Sequence, residues 1–212
     1  MFTLMKIKNI ILDLGGVLLN IDYHLTINAF KKLGIKNFDE LYTQAAQNNL
    51  FDDLETGHIS DQQFLKGLRK YLPEGIKNEE IINAWNAMLL DFPTERLNYL
   101  SRLKQQYNTA LLSNTNTIHL DFFHQQLQET HQITSLDAYF KSTYFSCAMG
   151  MRKPNPEIFL EVCKREGFNP SETIFIDDSI QHVEGANKAG LHAYHLDVNQ
   201  DNVIYLLNSL LT

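Results

Sequence analysis

The chain has 212 residues and a formal charge of −7, and its 44% hydrophobic and 20% charged content is that of a globular domain with a full core, which excludes a disordered or fibrous chain. The acidic balance argues against a general nucleic-acid or membrane-surface binder, because such a protein needs a basic field and the densest basic group, Lys66, Arg69 and Lys70, is small. Two cysteines, Cys147 and Cys163, are too few for a disulfide framework or a zinc cage and read as buried thiols; with no apolar run of membrane length and no signal-peptide core at the start, a cytoplasmic protein is expected.

In chain order, residues 7–12 form a β-branched run that ends at Asp13, followed at once by Gly15 and Gly16. Four helical patterns come next, with no convincing strand among them. Residues 25–33 are closed by Gly34, and residues 38–48 form a second pattern. The third opens on Ser60 with Gln63 three residues on, a capping box. The fourth runs from Asn78 through Ile81, Trp85 and Leu89. Their Met and aromatic positions keep helical spacing and so read as core. Beyond a further helix at 94–107, Ala110 to Leu112 lead to Ser113. A helix follows from Asn155, with Pro156 in its first position and Gly167 at its end. A last apolar run, Thr173 to Ile176, ends at Asp177 and Asp178. Near-continuous apolar runs suit parallel strands buried on both faces, and their alternation with helices predicts a doubly wound α/β sheet. The expected division is a core of residues 1–19 and 93–212, with a helical insertion at 20–92.

The polar residues at the strand ends carry the functional signal. Ligands of open α/β sheets sit beyond the carboxyl ends of the strands, so Asp13, Ser113 and Asp178 are expected to converge there. Taken singly, each is an ordinary turn former. Together they suit phosphate and metal. Gly15 and Gly16 allow a tight turn with exposed N–H groups, Ser113 and Asn114 offer neutral hydrogen bonds, and Lys153 supplies a point charge. Adjacent Asp177 and Asp178 require a cation or the lysine to offset their repulsion, and Mg²⁺ takes such hard oxygen ligands.

The motifs Ile11-Leu12-Asp13-Leu14-Gly15-Gly16-Val17-Leu18, Leu111-Leu112-Ser113-Asn114, Gly150-Met151-Arg152-Lys153-Pro154 and Ile174-Phe175-Ile176-Asp177-Asp178-Ser179 resemble, in content and order, those of the haloacid dehalogenase (HAD) superfamily. The resemblance spans essentially the whole chain and is strongest to bacterial sugar-1-phosphate phosphatases, α-D-glucose-1-phosphate phosphatases among them. It implies a Rossmann-like core with a small all-helical cap after the first strand. It also implies a Mg²⁺-dependent phosphatase that hydrolyses a small phosphorylated metabolite, a sugar phosphate foremost, through an aspartyl-phosphate. Asp13 would then be the nucleophile, and Mg²⁺ would be held by Asp13, the Gly15 carbonyl and Asp178. Leu14, Gly15, Ser113, Asn114 and Lys153 would hold the phosphoryl group.

Two positions depart from the pattern. Most phosphatases of the superfamily carry a second aspartate, a general acid and base, where this chain has Gly15. Asp22 and His24, just beyond the loop, or Asp52 and Asp53 from the helical insertion are the candidates to replace it. His182 stands where Asp or Asn is usual, either supporting the metal beside Asp177 or lying on a helix surface. A haloacid dehalogenase also lacks the second aspartate but normally loses the acidic pair. A catalytically weak phospho-ligand-binding protein is the remaining alternative, and the order and length of the chain exclude a phosphoacceptor receiver domain.

Overall fold

The computed structural model describes residues 6–35, 37–38 and 49–211. One sheet of five parallel strands is built from β1 (Asn9–Leu12), β2 (Asn108–Ser113), β3 (Ser142–Phe145), β4 (Thr173–Asp177) and β5 (His192–His195), in the order β3-β2-β1-β4-β5. β1 is central, and its Ile10, Ile11 and Leu12 are wholly buried. Successive strand side chains point to opposite faces. Ile10 and Leu12 therefore join Leu111, Ile174 and Ile176 in one cluster, while Ile11 joins Leu112 and Phe175 in the other. Each Leu, Ile or Phe so covered contributes about 1.5–3 kcal/mol, which is why these runs hold no polar residue until the strand ends.

The connection from β1 to the next strand holds α1 (Tyr23–Lys32), α2 (Leu50–Glu55), α3 (Asp61–Arg69) and α4 (Asn78–Asn86). These pack around their own cluster, which includes Phe30, Phe51, Leu54, Phe64, Ile81 and Trp85. The Ser60–Gln63 capping box starts α3 as the sequence predicts. α1 begins at Tyr23, earlier than its apolar spacing suggests, because Asp22 caps it by accepting a hydrogen bond from His24 N at 2.9 Å. α4 ends before Met88, and Leu89 instead forms a bridge with Ile21. The helix expected at 38–48 lies, apart from Phe38, outside the described residues.

Helices cover both faces of the sheet. α5 (Thr94–Leu103), α6 (Thr117–His131) and α10 (Val203–Leu210) bury Leu97, Phe123 and Leu207 on one face. On the other, α8 (Pro156–Glu166) and α9 (Ile180–Lys188) bury Phe159 and Ala186, with Phe159 edge-on to Phe175 at 5.0 Å. Between β3 and α8 lies the short α7 (Ser146–Met149), where Cys147 is only partly buried, unlike the buried Cys163. The loop after α7 is pressed against α9. A Cβ on Gly185 would stand 2.0 Å from the Pro154 carbonyl oxygen, so only glycine admits this approach. The loop carries Lys153.

Candidate active site

The chain lays β2 and β3 on one side of β1 and β4 and β5 on the other, so the strand order reverses beside β1, where a crevice opens. Asp13 follows β1 there, extending the ladder through its N–H to the Ile176 carbonyl at 3.0 Å. Ser113 ends β2, and Asp177 ends β4 with Asp178 directly after it. All but Asp177 line a cleft of about 520 Å³ roofed by residues of the helical segment such as Phe51 and Trp85.

Lys153 is completely buried, and its ammonium makes three hydrogen bonds: to Asp13 Oδ1 at 2.6 Å, Asp177 Oδ2 at 2.6 Å and the Leu112 carbonyl at 3.1 Å. An ammonium has three donors. In this arrangement Lys153 holds the Asp13 carboxylate with all three of its donors engaged, and it also lines the cleft where a phosphoryl group would bind. Asn114, also at the cleft, is engaged by the same loop. Its Oδ1 accepts from Lys153 N and its Nδ2 donates to Lys153 O, both at 2.9 Å, so the side chain clamps the lysine backbone. Ser113 and Leu14 are buried at the cleft wall.

The acidic pair divides its work. Asp177 accepts from Lys153, from Ser179 N at 2.8 Å and from His182 Nδ1 at 3.0 Å. His182 is thus neither a free surface residue nor directed by Nδ1 at a metal, since that nitrogen must donate to the acceptor-only carboxylate. Burial alone would raise Asp177, but Lys153 and His182 outweigh it and hold the carboxyl at about 2. Asp178 is pushed up by burial and by Asp177. Asp13 is also raised, by burial first and then by its acidic neighbours against the pull of Lys153. Lys153 itself is raised, because the two carboxylates outweigh its burial. These directions describe one ammonium shared by the Asp13 and Asp177 carboxylates, with Asp178 close by.

Oxygens of Asp13, Asp177 and Asp178 lie within 4.8 Å of one another. Three carboxylates against one ammonium leave the cluster short of positive charge, and hard oxygens are the ligands Mg²⁺ takes. Lys153 occupies only one Asp13 oxygen, and among the described residues the Gly15 carbonyl takes no backbone hydrogen bond. Gly16, at φ +72°, keeps the approach open, since a Cβ there would stand 2.3 Å from Asp178 Oδ2. The residues present therefore fit a divalent cation.

Among the side chains expected to replace the absent acid, Asp22 is committed to capping α1, Asp52 pairs with Arg152, and Asp53 lies 3.7 Å from His58. None of them, nor His24, lines the cleft. Glu55, Tyr23, His119 and Arg152 do, and sequence reasoning passed over them. Arg152 sat in a quoted motif beside Lys153, the one available signal; the others stand on helices with no distinguishing spacing.

The family model for haloacid dehalogenase-like hydrolases matches residues 7–190. The chain belongs to that family. A D-ribitol-5-phosphate phosphatase from Bacteroides thetaiotaomicron is 31% identical over 206 residues, 96% of this chain and 100% of that protein. A HAD family enzyme from the same organism, solved with magnesium and inorganic phosphate, superposes with a TM-score of 0.83 at 37% identity, covering 94% of this chain and 98% of its own. A HAD-like hydrolase from Porphyromonas gingivalis gives 0.84 at 35% identity over 97% and 98%. Within the HAD family, this enzyme is a phosphoric monoester hydrolase.

Proposed function

We propose that this HAD phosphatase hydrolyses the phosphate ester of a small sugar or sugar alcohol, using Asp13 as a covalent nucleophile beneath a cap formed by residues 20–92. The observation that carries the reading is Asp13 itself: a nearly buried carboxylate, oriented by a lysine that has no other free donor, at the open edge of the sheet. Attack by Asp13 on phosphorus would form an acyl-phosphate, and water would then release phosphate and regenerate the carboxylate. Asp13, Asp178 and the Gly15 carbonyl would hold Mg²⁺, which supplies the positive charge that an anionic nucleophile needs to approach an anionic ester. Asp177 positions Lys153, and Asn114 fixes its backbone. The intact acidic pair favours a phosphatase over a dehalogenase.

The cleft has the size of an ordinary small-molecule site, and its roof is largely apolar. The relative from Bacteroides acts on a 5-phosphate, the ester of a primary alcohol, which favours that class over the sugar 1-phosphates that the motifs resemble most. Phosphate release from a panel of pentose, pentitol and hexose phosphates, with Mg²⁺ and with EDTA, tests the reading. Turnover of a pentitol or sugar phosphate that disappears with EDTA is expected. Activity unaffected by EDTA, or absent on every ester, would overturn it.

A further inference from the structure

Gly15 leaves the nucleophile loop without a proton donor, and the place is filled: a Cβ on Gly15 would stand 2.3 Å from Ile21 Cδ1. A donor must come from elsewhere in the cleft, and the geometry narrows the field. His119 is buried and neutral, its pKa driven down to about 3 by burial, and its Nδ1 is engaged with Asn86 Oδ1 at 2.8 Å. His182 has Nδ1 fixed on Asp177. The Tyr23 phenol is raised to about 12, by burial and then by Asp178, Asp13 and Glu55. That leaves Glu55, at the end of α2, the one carboxyl group lining the cleft besides Asp13 and Asp178 among the described residues. Arg152 Nη2 forms an ion pair with Glu55 Oε2 at 2.8 Å, and the other guanidinium arm pairs with Asp52, so Glu55 stands beside Arg152 at the cleft with its Oε2 lacking a hydrogen bond among the described residues.

Building on the phosphatase reading, we propose that Glu55 is a catalytic acid and base that exchanges the proton with the leaving oxygen, the role that no side chain at Gly15 can play. As Asp13 Oδ bonds to phosphorus, the bond from phosphorus to the ester oxygen breaks, and that oxygen takes the Glu55 proton to leave as a neutral alcohol. Glu55, now a carboxylate, then takes a proton from water as the water oxygen attacks phosphorus. The acyl-phosphate bond breaks, Asp13 is restored as a carboxylate, phosphate departs and Glu55 is again protonated. Burial raises the Glu55 carboxyl against the opposing pull of Arg152, in the direction an acid requires.

The test is kcat/KM with Mg²⁺ for the natural protein and Glu55→Gln, over phosphate esters from nitrophenyl phosphate to ribitol 5-phosphate. Gln keeps the shape and an oxygen for Arg152. The variant is expected to lose on the order of a hundredfold or more on the alkyl ester and far less on the aryl ester, whose leaving group needs no proton. Glu55→Asp should recover part of the alkyl activity. An equal loss on all esters, in a variant with an unchanged near-ultraviolet circular dichroism spectrum, would overturn the proposal and leave Glu55 as a fastening for Arg152. Steepening by Tyr23→Phe and not by Glu55→Gln would overturn it in favour of the phenol. If the natural protein hydrolyses no ester, the phosphatase reading fails first and independently.

Discussion

Lys153 concentrates more of the site's energetics than any other side chain, because one buried ammonium offsets Asp13 and Asp177 together. Lys153→Ala should cost about 3–5 kcal/mol in urea unfolding, the usual penalty for leaving buried charge unpaired, and should abolish phosphate release. Asp13→Asn should also abolish release, since an amide cannot form the acyl-phosphate, yet it should leave the protein at least as stable as before, because burial and its acidic neighbours disfavour the Asp13 charge. A Lys153→Ala protein with unchanged stability would contradict the shared-ammonium account. Gly15 supports a constructive test. Its φ is not positive, so the obstacle to a side chain is only the flexible end of Ile21. In the Glu55→Gln protein, adding Gly15→Asp with Ile21→Val, which removes the obstructing methyl, should restore hydrolysis of alkyl phosphates about tenfold or more and change aryl phosphates little. A uniform loss in that triple variant would show that the loop cannot hold an acid.

Between elements, the helical segment docks on the sheet domain through α4 and α6. Trp85 stacks on His119 at 5.2 Å and 9°, and His119 Nδ1 lies 2.8 Å from Asn86 Oδ1. The folded protein holds His119 neutral to about pH 3, against 6.5 for a free histidine. The unfolded chain therefore binds one more proton between these values, and stability is lost as pH falls from 6.5 toward 3, by up to about 1.4 kcal/mol per unit. In urea titrations with Mg²⁺ present, natural protein and His119→Gln should diverge below pH 6.5, the natural protein falling faster; parallel curves would exclude His119 as the sensor. This docking pair was invisible in the sequence, since His119 and Asn86 meet only through tertiary packing. The central strands were legible, because burial on both faces forces apolar runs that stop where the ligand edge begins. β3 and β5 were not. They are edge strands, partly exposed, and their sequences Ser142-Thr143-Tyr144-Phe145 and His192-Ala193-Tyr194-His195 carry no such run. Asp13, Ser113, Asp177 and Asp178 were found by the same logic, each marking the end of a central strand. Glu55 was not, because its meaning depends on Arg152, far along the chain in a loop that only the folded core brings near.

At the scale of the whole molecule, the acidic site is a stability defect that a cation repairs. Buried carboxylates at the edge of the sheet repel, and the raised carboxyls of Asp13 and Asp178 show the folded state resisting their ionisation. Two consequences of opposite sign follow for Asp178→Asn. Without metal, the variant should be more stable than the natural protein, because one negative charge beside Asp177 is gone. With Mg²⁺, the order should reverse: a ligand at a hundred times its dissociation constant adds about 2.7 kcal/mol to a protein that binds it only when folded, and the variant has lost a carboxylate of the binding set. Urea midpoints at pH 7.5, in EDTA and in Mg²⁺, measure both. A natural protein indifferent to Mg²⁺ would remove the metal from the site, while an Asp178→Asn protein with the full Mg²⁺ shift would move the binding to other oxygens. The crossover, stabilised when empty and destabilised when loaded, is what distinguishes a carboxylate kept for metal from one kept for the fold.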